Sequence, residues 1–417
     1  MLLPTAAVLS ACLALAALVI DRIPDVIPTR LHLGAEYYNI ALSISDGRGF
    51  SDPFGEPTGP TAWMPPLYPY LLAALLRVAG DKHAVATAIL VLMNATIVVV
   101  GVTLRYIIQC SARRLAPAFG IGFFALWVGV FHYWYLALTS DVWLLLLVTN
   151  FLVLLVFRYV RGRFDVWGWG LVGGVASLVS PALAASWGAL SAWGFFRDAA
   201  QRRRWLLAGA LALAMAVPWA VRNAAVMGSF VPVKSNAGYE MYQGNCVDTD
   251  GIYSIESMMK HPFNDMVLRS EYGRLGELEY VRRYRERFAR CVSSDPGAFL
   301  SKLGNRLLAA SVQYVPLSST QHGPFELWML RLVYPLPFIA LLLGLLRRGC
   351  HTLLLRALLL LHAVYLLPYA AIAIYIRYLL PMTPALCLFV YLSVDQLLER
   401  RSQATASVGG LPASTSG

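Results

Sequence analysis

Long apolar stretches separated by short polar turns run through most of this chain. The first covers residues 2–20, and later ones cover 84–108, 116–131, 142–157, 166–179, 182–196, 205–220, 328–346, 353–367 and 372–391. A helix of about 20 apolar residues spans the hydrocarbon core of a bilayer. The pattern therefore predicts an all-α integral membrane protein with about ten crossings.

Three details refine this map. Residues 67–80 are apolar but short for a crossing, so we expect an interfacial helix there. Ser180-Pro181 divides one long apolar stretch into two short helices, because proline interrupts the helical hydrogen bonds. No Lys or Arg precedes the first stretch, which continues beyond Cys12. This favours an uncleaved first helix over a signal peptide.

Arginines in the turns indicate the orientation of the helices. Most of them fall on one side of the predicted bundle, which the positive-inside rule makes cytoplasmic. Both termini are then cytoplasmic, and residues 21–83 and 221–327 lie outside. We expect a transmembrane module at 1–220, an outer segment at 221–327, further transmembrane helices at 328–395 and a disordered tail at 396–417. The arginines of the cytoplasmic turns are Arg105, Arg113, Arg114, Arg158, Arg161, Arg163, Arg197, Arg202, Arg203, Arg204, Arg347, Arg348, Arg356, Arg400 and Arg401.

Composition supports the membrane assignment. Hydrophobic residues make up 58% of the 417 residues and charged residues 14%. The mean hydropathy is +0.60. These values exclude a disordered chain and disfavour a soluble enzyme. The net charge of +11 belongs largely to the cytoplasmic turns, so we expect no nucleic-acid partner.

The outer segments hold the candidate chemistry, because the predicted spans carry almost no charge. Glu36 follows the first helix, where a carboxylate can act as a general base, bind a metal or simply be solvated. Asp46, Asp52 and Asp141 are candidate second carboxylates. Asp141 is favoured because it begins a helix at the outer face, although a helix N-cap would explain it equally. We expect the histidines there, His132, His261 and His322, to be structural.

Two outer arginines are candidates for binding a phosphate. Arg222 lies at the end of a predicted helix, and Arg377 stands alone on the outer side against the charge pattern. A guanidinium can bind phosphate through a forked contact. Snorkelling of the side chain to the interface is the alternative for both.

Short motifs occur in a fixed order along residues 1–395. They are Glu36 after the first helix, Gly-Arg-Gly at 47–49, Pro-Pro-Leu-Tyr-Pro at 65–69, Leu-Thr-Ser-Asp at 138–141, Pro-Trp-Ala-Val-Arg-Asn at 218–223, Gln-Gly-Asn at 243–245, Asp-Pro-Gly-Ala-Phe at 295–299 and Arg-Tyr-Leu-Leu-Pro-Met-Thr-Pro at 377–384. Their order resembles that of the superclass C multi-spanning glycosyltransferases. The bacterial members similar to protein O-mannosyltransferases and lipid A aminoarabinose transferases are the nearest in pattern.

This resemblance implies an enzyme that takes a sugar from a polyprenyl-phosphate donor. The acceptor would be a glycan, lipid or protein at the outer face of a bacterial inner membrane, and transfer would invert the anomeric centre. The implied catalytic residues are Glu36 and Asp141, and Arg222 and Arg377 would bind the donor phosphate. Candidate substrate contacts are Tyr37, Tyr38, Tyr68, Asn223, Asn245 and Tyr378.

The sequence departs from the family pattern in one place. Ala35 stands where the family often has the first of two adjacent acids, which puts a paired-acid metal site in doubt. A divalent metal therefore has no clear ligand set. The alternative function is a non-catalytic carrier of lipid-linked sugars or a degenerate assembly subunit.

The long outer segment contains two further features. Cys246 and Cys291 are the two cysteines predicted to lie on the oxidising side, so they either pair in a disulfide or remain free thiols. A helix is expected near 271–291. Its aromatic residues would either pack or stack on a sugar, and they are Tyr272, Tyr280, Tyr284 and Phe288.

Overall fold

The computed structural model describes residues 33–111, 115–130, 140–247, 250–252, 255–312, 328, 331–346 and 352–408. The predicted first helix at 2–20 and residues 409–417 of the predicted tail lie outside these residues, as do His132 and His322. Residues 396–408, which were predicted to be disordered, instead continue the last helix to Val408. Helices account for 80% of the structure, and the described residues form no β-strand. The predicted all-α class is therefore confirmed.

Seventeen α-helices follow one another along the described chain. They are α1 Glu36–Ser45, α2 Leu67–Ala79, α3 Lys82–Ser111, α4 Pro117–Val130, α5 Val142–Val160, α6 Val166–Val179, α7 Pro181–Arg197, α8 Arg202–Met227, α9 Ala237–Tyr242, α10 Ile255–Met259, α11 Met266–Leu275, α12 Glu277–Ser294, α13 Pro296–Ser311, α14 Leu336–Leu346, α15 Leu353–Ala371, α16 Ile376–Leu379 and α17 Thr383–Val408. Short 3₁₀ turns precede α8 and α17, and a π-helical turn at Gln243–Val247 follows α9.

Five segments among the described residues are long and apolar enough to cross a membrane. They are Lys82–Ser111, Val142–Val160, Ala199–Met227, Leu353–Ala371 and Arg377–Glu399. The chain is therefore a multi-pass membrane protein, but five is fewer than the predicted ten. The predicted span at 2–20 lies outside the described residues, and four other predicted spans are short helices. Helix α6, for example, has 14 residues and rises about 21 Å, whereas the hydrocarbon core is about 30 Å thick.

The break predicted at Ser180-Pro181 is present. Helix α6 ends at Val179 and α7 begins at Pro181. The Ser180 hydroxyl accepts a hydrogen bond from the Leu183 amide, and Pro181 occupies the first helical position, where its missing N–H costs nothing. Helices α6 and α7 therefore form a hairpin, with the Trp169 indole donating to Ser191 across it at 2.7 Å.

Two predicted boundaries were wrong. The span predicted to end at 220 continues through Pro218 to Met227, and Gly228, at φ 67°, terminates it. The outer segment thus begins at Gly228 rather than 221. The single helix expected near 271–291 is two helices, α11 and α12, separated by Gly276 at φ 76°. In both places a left-handed glycine, rather than a proline or a change of composition, sets the boundary.

The bundle has two chemically different ends. At the arginine end, which we define by Arg158, Arg161, Arg163, Arg197 and Arg204, the Arg204 Nη2 donates to the Phe164 carbonyl at 2.9 Å and Arg161 reaches the Cys110 carbonyl at 3.3 Å. These contacts bring together the last turns of α3 and α5 and the start of α8. Helix direction then places the start of α5 and the end of α8 at the opposite end, which we call the site end.

Helix α2, which the sequence predicted to be interfacial, begins and ends on the same side of the bundle. Tyr68 packs edge-on against Tyr37 with ring centroids 5.1 Å apart, and the Arg77 Nη2 donates to the Ile44 carbonyl. The chain then returns to the site end, because the Lys82 ammonium lies 4.8 Å from the centre of the Tyr38 ring. Both ends of α2 thus lie at the site end, and this, rather than its 13 residues, argues against a crossing. Helix α2 lies beside α1 instead.

Candidate functional site

Glu36 is placed by an unusual turn at the start of α1. Leu33, Gly34 and Ala35 all have positive φ, of 43°, 81° and 34°. A Cβ on Gly34 would lie 2.6 Å from Cδ2 of Tyr37, so only glycine fits there. Non-glycine residues in this region are strained, and such strain concentrates at functional sites. The turn sets Glu36 at the first position of α1.

Asp141 lies beside the same helix. The Tyr37 hydroxyl donates to Asp141 Oδ2 at 3.1 Å, which joins α1 to the start of α5. The Asp141 side chain makes no capping hydrogen bond to α5, so the N-cap interpretation is wrong. Burial raises the pKa of Asp141 above its ordinary 3.8, and Arg377 and the bond from Tyr37 partly oppose that rise. Asp141 is thus a second buried carboxylate, bonded to the residue that follows Glu36.

The other two candidate carboxylates stabilise the first outer loop. Asp52 is buried and accepts hydrogen bonds from the amides of Thr58 and Gly59 at 2.8 and 3.0 Å. Although burial alone raises the pKa of Asp52, these bonds outweigh it and the pKa is lowered. Asp46 is exposed and pairs with Arg48 at 3.0 Å. The contacts of Asp46 and Asp52 with neighbouring groups therefore give both a structural role.

Glu36 contacts a histidine that the sequence suggested was only structural. Glu36 Oε1 lies 3.5 Å from His261 Nε2, and both side chains are largely buried. Burial lowers the pKa of His261 to about 4, so the imidazole is neutral at pH 7. Burial also raises the pKa of Glu36, against opposing effects of a backbone hydrogen bond, Arg377 and Lys234.

Two cations stand within electrostatic range of both carboxylates. Arg377 and Lys234 each favour the ionised forms of Glu36 and Asp141. The Arg377 guanidinium lies 5.5 and 5.2 Å from the ring centres of Tyr375 and Tyr378. Lys234 was missed in the sequence, although it is a lone basic residue between two of the quoted motifs. The site thus contains two carboxylates and two cationic side chains.

Arg222 has a structural role besides the one predicted. Its Nη1 donates to the Thr61 carbonyl at 2.7 Å, and its Nη2 donates to the Phe50 carbonyl at 2.9 Å. Its guanidinium also stacks on Trp219 at 4.9 Å. These contacts attach the first outer loop to the end of α8. They give Arg222 a structural role that the sequence did not predict, and its contact with the donor phosphate stays a prediction.

Two candidate substrate ligands are likewise used by the fold. Asn223 is fully buried and donates to the Val231 carbonyl at 2.9 Å. Asn245 is buried, donates to the Ala371 carbonyl at 3.0 Å and accepts from Arg306. The predicted role of both in binding substrate is therefore wrong for the arrangement seen here, since their amides hold loops to the bundle.

The candidate tyrosines lie around the acids. Tyr37 is bonded to Asp141, and Tyr68 packs against Tyr37. Tyr378 stacks on Tyr369 with centroids 4.6 Å apart, and its hydroxyl accepts from Arg377 at 3.5 Å. Tyr38 is further out, beneath Lys82. Three of the four tyrosines thus border the charged groups.

The outer segment closes over this end of the bundle. The structure joins Cys246 and Cys291 in a disulfide, with their Cα atoms 6.2 Å apart, as the sequence predicts. Tyr272, Tyr280 and Tyr284 are buried against Phe54, Trp63 and Tyr239 in what we call the aromatic cluster. Packing, rather than sugar stacking, therefore explains these tyrosines. Phe288 instead packs near Phe299, with ring centroids 6.3 Å apart.

In the part of the chain that the structure describes, no cluster of three or more His, Cys, Asp or Glu side chains could hold a metal ion. Glu36, Asp141 and a neutral His261 do not form such a set. A bound divalent metal stays a prediction.

The helices and their ends define an all-α, multi-pass membrane protein with a partly buried charged site at one end of the bundle. No protein-family model, curated protein or solved structure matches this chain.

Proposed function

We propose that this chain is a membrane glycosyltransferase of the superclass C type. It would move one sugar from a polyprenyl-phosphate donor to an acceptor at the outer face of a bacterial inner membrane. One observation carries the proposal: two carboxylates, Glu36 and Asp141, lie within electrostatic range of two cations, Arg377 and Lys234, at one end of an apolar bundle. Acid–base chemistry on a lipid-linked anion needs this combination.

Glu36 is the proposed general base. Its raised pKa makes it a stronger base than an exposed glutamate, and its site is shielded from water by the outer segment. His261 Nε2 lies 3.5 Å from one carboxylate oxygen, Oε1, and the other oxygen, Oε2, would accept the proton from the hydroxyl or amine of the acceptor. The acceptor proton passes to Glu36 as its oxygen or nitrogen attacks the sugar.

Arg377 and Lys234 are the proposed phosphate-binding groups. The acceptor attacks the anomeric carbon on the face opposite the phosphate, and the bond from that carbon to the phosphate oxygen breaks. The bonding electrons leave with the lipid phosphate, whose negative charge the two cations stabilise. The result is inversion. Asp141, held by Tyr37 at 3.1 Å, balances the charge of Arg377 before the donor binds.

The membrane arrangement follows from the same proposal. The arginine end would face the cytoplasm by the positive-inside rule, and the site end would face the periplasm. The short apolar helices α4, α6, α7 and α14 would cross together with the five long spans and the segment at 2–20, giving ten crossings. The polyprenyl tail would lie in the bilayer beside the bundle. Arg222 would contribute by holding the first outer loop to the end of α8 through its hydrogen bonds to the Phe50 and Thr61 carbonyls.

Replacement of Glu36 tests the proposal directly. A deletion strain is complemented with wild type, Glu36→Gln or Glu56→Gln, and its surface glycans and glycolipids are measured by mass spectrometry. Glu36→Gln keeps the shape and removes the base, so we expect product to fall by about 10²–10⁴-fold. Glu56 is a matched control, because it lies exposed on the same outer loop with a side-chain exposure of 55%.

The outcomes separate the proposal from its alternative. If the Glu36→Gln protein is inserted at the wild-type level and retains more than about a tenth of the product, Glu36 is not the base. A lipid-linked-sugar carrier without catalysis would give that result. Loss of product in both glutamate variants would point instead to a general defect of the loop.

A further inference from the structure

A cleft at the arginine end has the chemistry of an anion-binding site, far from the proposed catalytic groups. It has a volume of about 510 Å³ and is lined by Arg158, Arg163 and Arg204 together with Asp165, Phe164 and Trp167. A second cleft of about 230 Å³ shares Arg158 and Arg163 with it and adds Arg161. Three arginines thus face a single carboxylate in the larger cleft.

The carboxylate of Asp165 balances only part of this positive charge. Asp165 caps the start of α6 by accepting from the Gly168 amide at 2.9 Å, and its other oxygen lies 3.6 Å from Arg158. Arg204 donates one N–H group to the Phe164 carbonyl. Arg163 is exposed, and in the described ranges of the chain its guanidinium makes no hydrogen bond or ion pair. The cleft therefore retains an excess of positive charge that a second anion would balance.

The walls of the cleft continue into apolar surface. Trp167 is 64% exposed, and Leu171, one helical turn further along α6, is 55% exposed. Residues four apart lie on the same face of a helix, so these side chains form one stripe running from the arginines towards the bilayer. A tryptophan beside arginines at the end of an apolar helix is typical of the membrane interface.

We propose that this cleft binds the headgroup of an anionic phospholipid, with the phosphate between Arg158 and Arg163 and an acyl chain along Trp167 and Leu171. Basic pockets between transmembrane helices at the cytoplasmic side bind such headgroups. A guanidinium can bind the phosphodiester oxygens in a forked contact. The charge and the apolar stripe together favour a lipid over a free phosphate ion, which would use only the arginines.

Native mass spectrometry of the full chain in detergent tests this site. The added probes are dioleoyl phosphatidylglycerol, dioleoyl phosphatidylcholine, the acyl-free headgroup glycerophosphoglycerol and inorganic phosphate. Wild type should retain phosphatidylglycerol at least tenfold more tightly than phosphatidylcholine. Arg158→Gln with Arg163→Gln should weaken phosphatidylglycerol by about 25-fold, since a basic residue near an anionic surface is worth about fivefold.

A matched control removes two arginines from the other end of the molecule. Arg285→Gln with Arg290→Gln lowers the net charge equally, on the exposed face of α12. It should leave phosphatidylglycerol retention unchanged. Equal retention of the two phospholipids by wild type would overturn the proposal even if the arginine variant failed to fold. Binding of inorganic phosphate or glycerophosphoglycerol as tightly as of phosphatidylglycerol would also overturn it, because the apolar stripe would then contribute nothing.

Discussion

Aromatic rings pack around His261, and its two ring nitrogens make different contacts. The ring centres of Phe54 and Tyr239 lie 5.9 and 5.5 Å from its own. Its Nδ1 accepts from the Phe263 amide at 3.2 Å. Because burial lowers the pKa of His261 to about 4, the neutral ring must carry its proton on Nε2. That N–H faces Glu36 Oε1 and favours the ionised carboxylate.

This geometry predicts that His261 controls the pH dependence of transfer. Activity requires ionised Glu36, so it is lost as the pH falls through the raised pKa of Glu36. His261→Leu removes a donor to the carboxylate, raises that pKa further and should move the acid limb of the rate profile upwards by about half to one pH unit. His261→Gln retains an N–H donor and should restore much of the shift. A uniform loss of rate with an unmoved acid limb would show that His261 only packs.

Some candidate site residues could be predicted from the sequence, but others could not be distinguished from residues that only hold the fold together. Glu36, Asp141 and Arg377 were singled out because each is a charge beside an apolar helix, and the structure brings them together. Arg222 was singled out as a helix-end cation and Asn245 as a motif residue, yet their acceptors lie 161 and 126 positions away along the chain. Only the folded chain reveals that these side chains are already paired with main-chain carbonyls.

The first turn of α12 connects three elements through one buried acid. Glu277 accepts from the Ala62 amide at 2.9 Å, the Ser235 hydroxyl at 2.7 Å and the Tyr272 hydroxyl at 2.7 Å. These donors belong to the first outer loop, the segment after α8, and α11. Packing among the rings of the aromatic cluster is weakly directional, whereas the hydrogen bonds to Glu277 are directional. Glu277 therefore fixes the position of the outer segment on the first outer loop.

We therefore predict that Glu277→Ala loosens the outer segment. It leaves several buried donors without an acceptor, at a cost of about 3 kcal/mol or more in the free energy of unfolding. The midpoint of thermal unfolding should fall by about 5 °C or more, and trypsin should cleave within 228–312 earlier than in wild type. Glu286→Ala is the control on the same helix, because Glu286 is exposed and pairs only at the surface with Arg282. Equal behaviour of the two variants would contradict a special role for Glu277.

Element boundaries were predictable where a local signal decided them. Ser180 and Pro181 form an N-cap and first helical position that can be read directly from the sequence. The apolar stretch predicted to end at 220 contains Pro218, yet α8 continues through this proline to Met227. A proline removes one helical hydrogen bond, and packing of the flanking turns can compensate for that loss. Here Trp219 packs on Phe50 with centroids 4.8 Å apart, which holds the helix past the proline.

The whole molecule is asymmetric along the helix axes. One end carries the cleft lined by Arg158 and Arg163, and the other carries Glu36 and Asp141 beneath the outer segment with its Cys246–Cys291 disulfide. Hydrophobic runs and arginine placement were enough to predict this division into two ends. They were not enough to count crossings, because 14-residue helices such as α6 satisfy the apolar pattern without the length.

The last prediction concerns which end faces outwards. Single cysteines are placed at the exposed residues Glu56 and Arg290 of the site end and Arg161 and Arg203 of the arginine end, with Cys12, Cys110, Cys350 and Cys387 replaced by Ala. The paired Cys246 and Cys291 are retained. A membrane-impermeant maleimide applied to intact cells should label the cysteines at 56 and 290 and spare those at 161 and 203. Labelling of all four after the membrane is permeabilised shows that the spared positions are accessible. The positive-inside rule assigns the arginine end to the cytoplasm. Labelling of the cysteines at 161 and 203 in intact cells would therefore show that the orientation is the opposite one. It would place Glu36 and its charged neighbours on the cytoplasmic side.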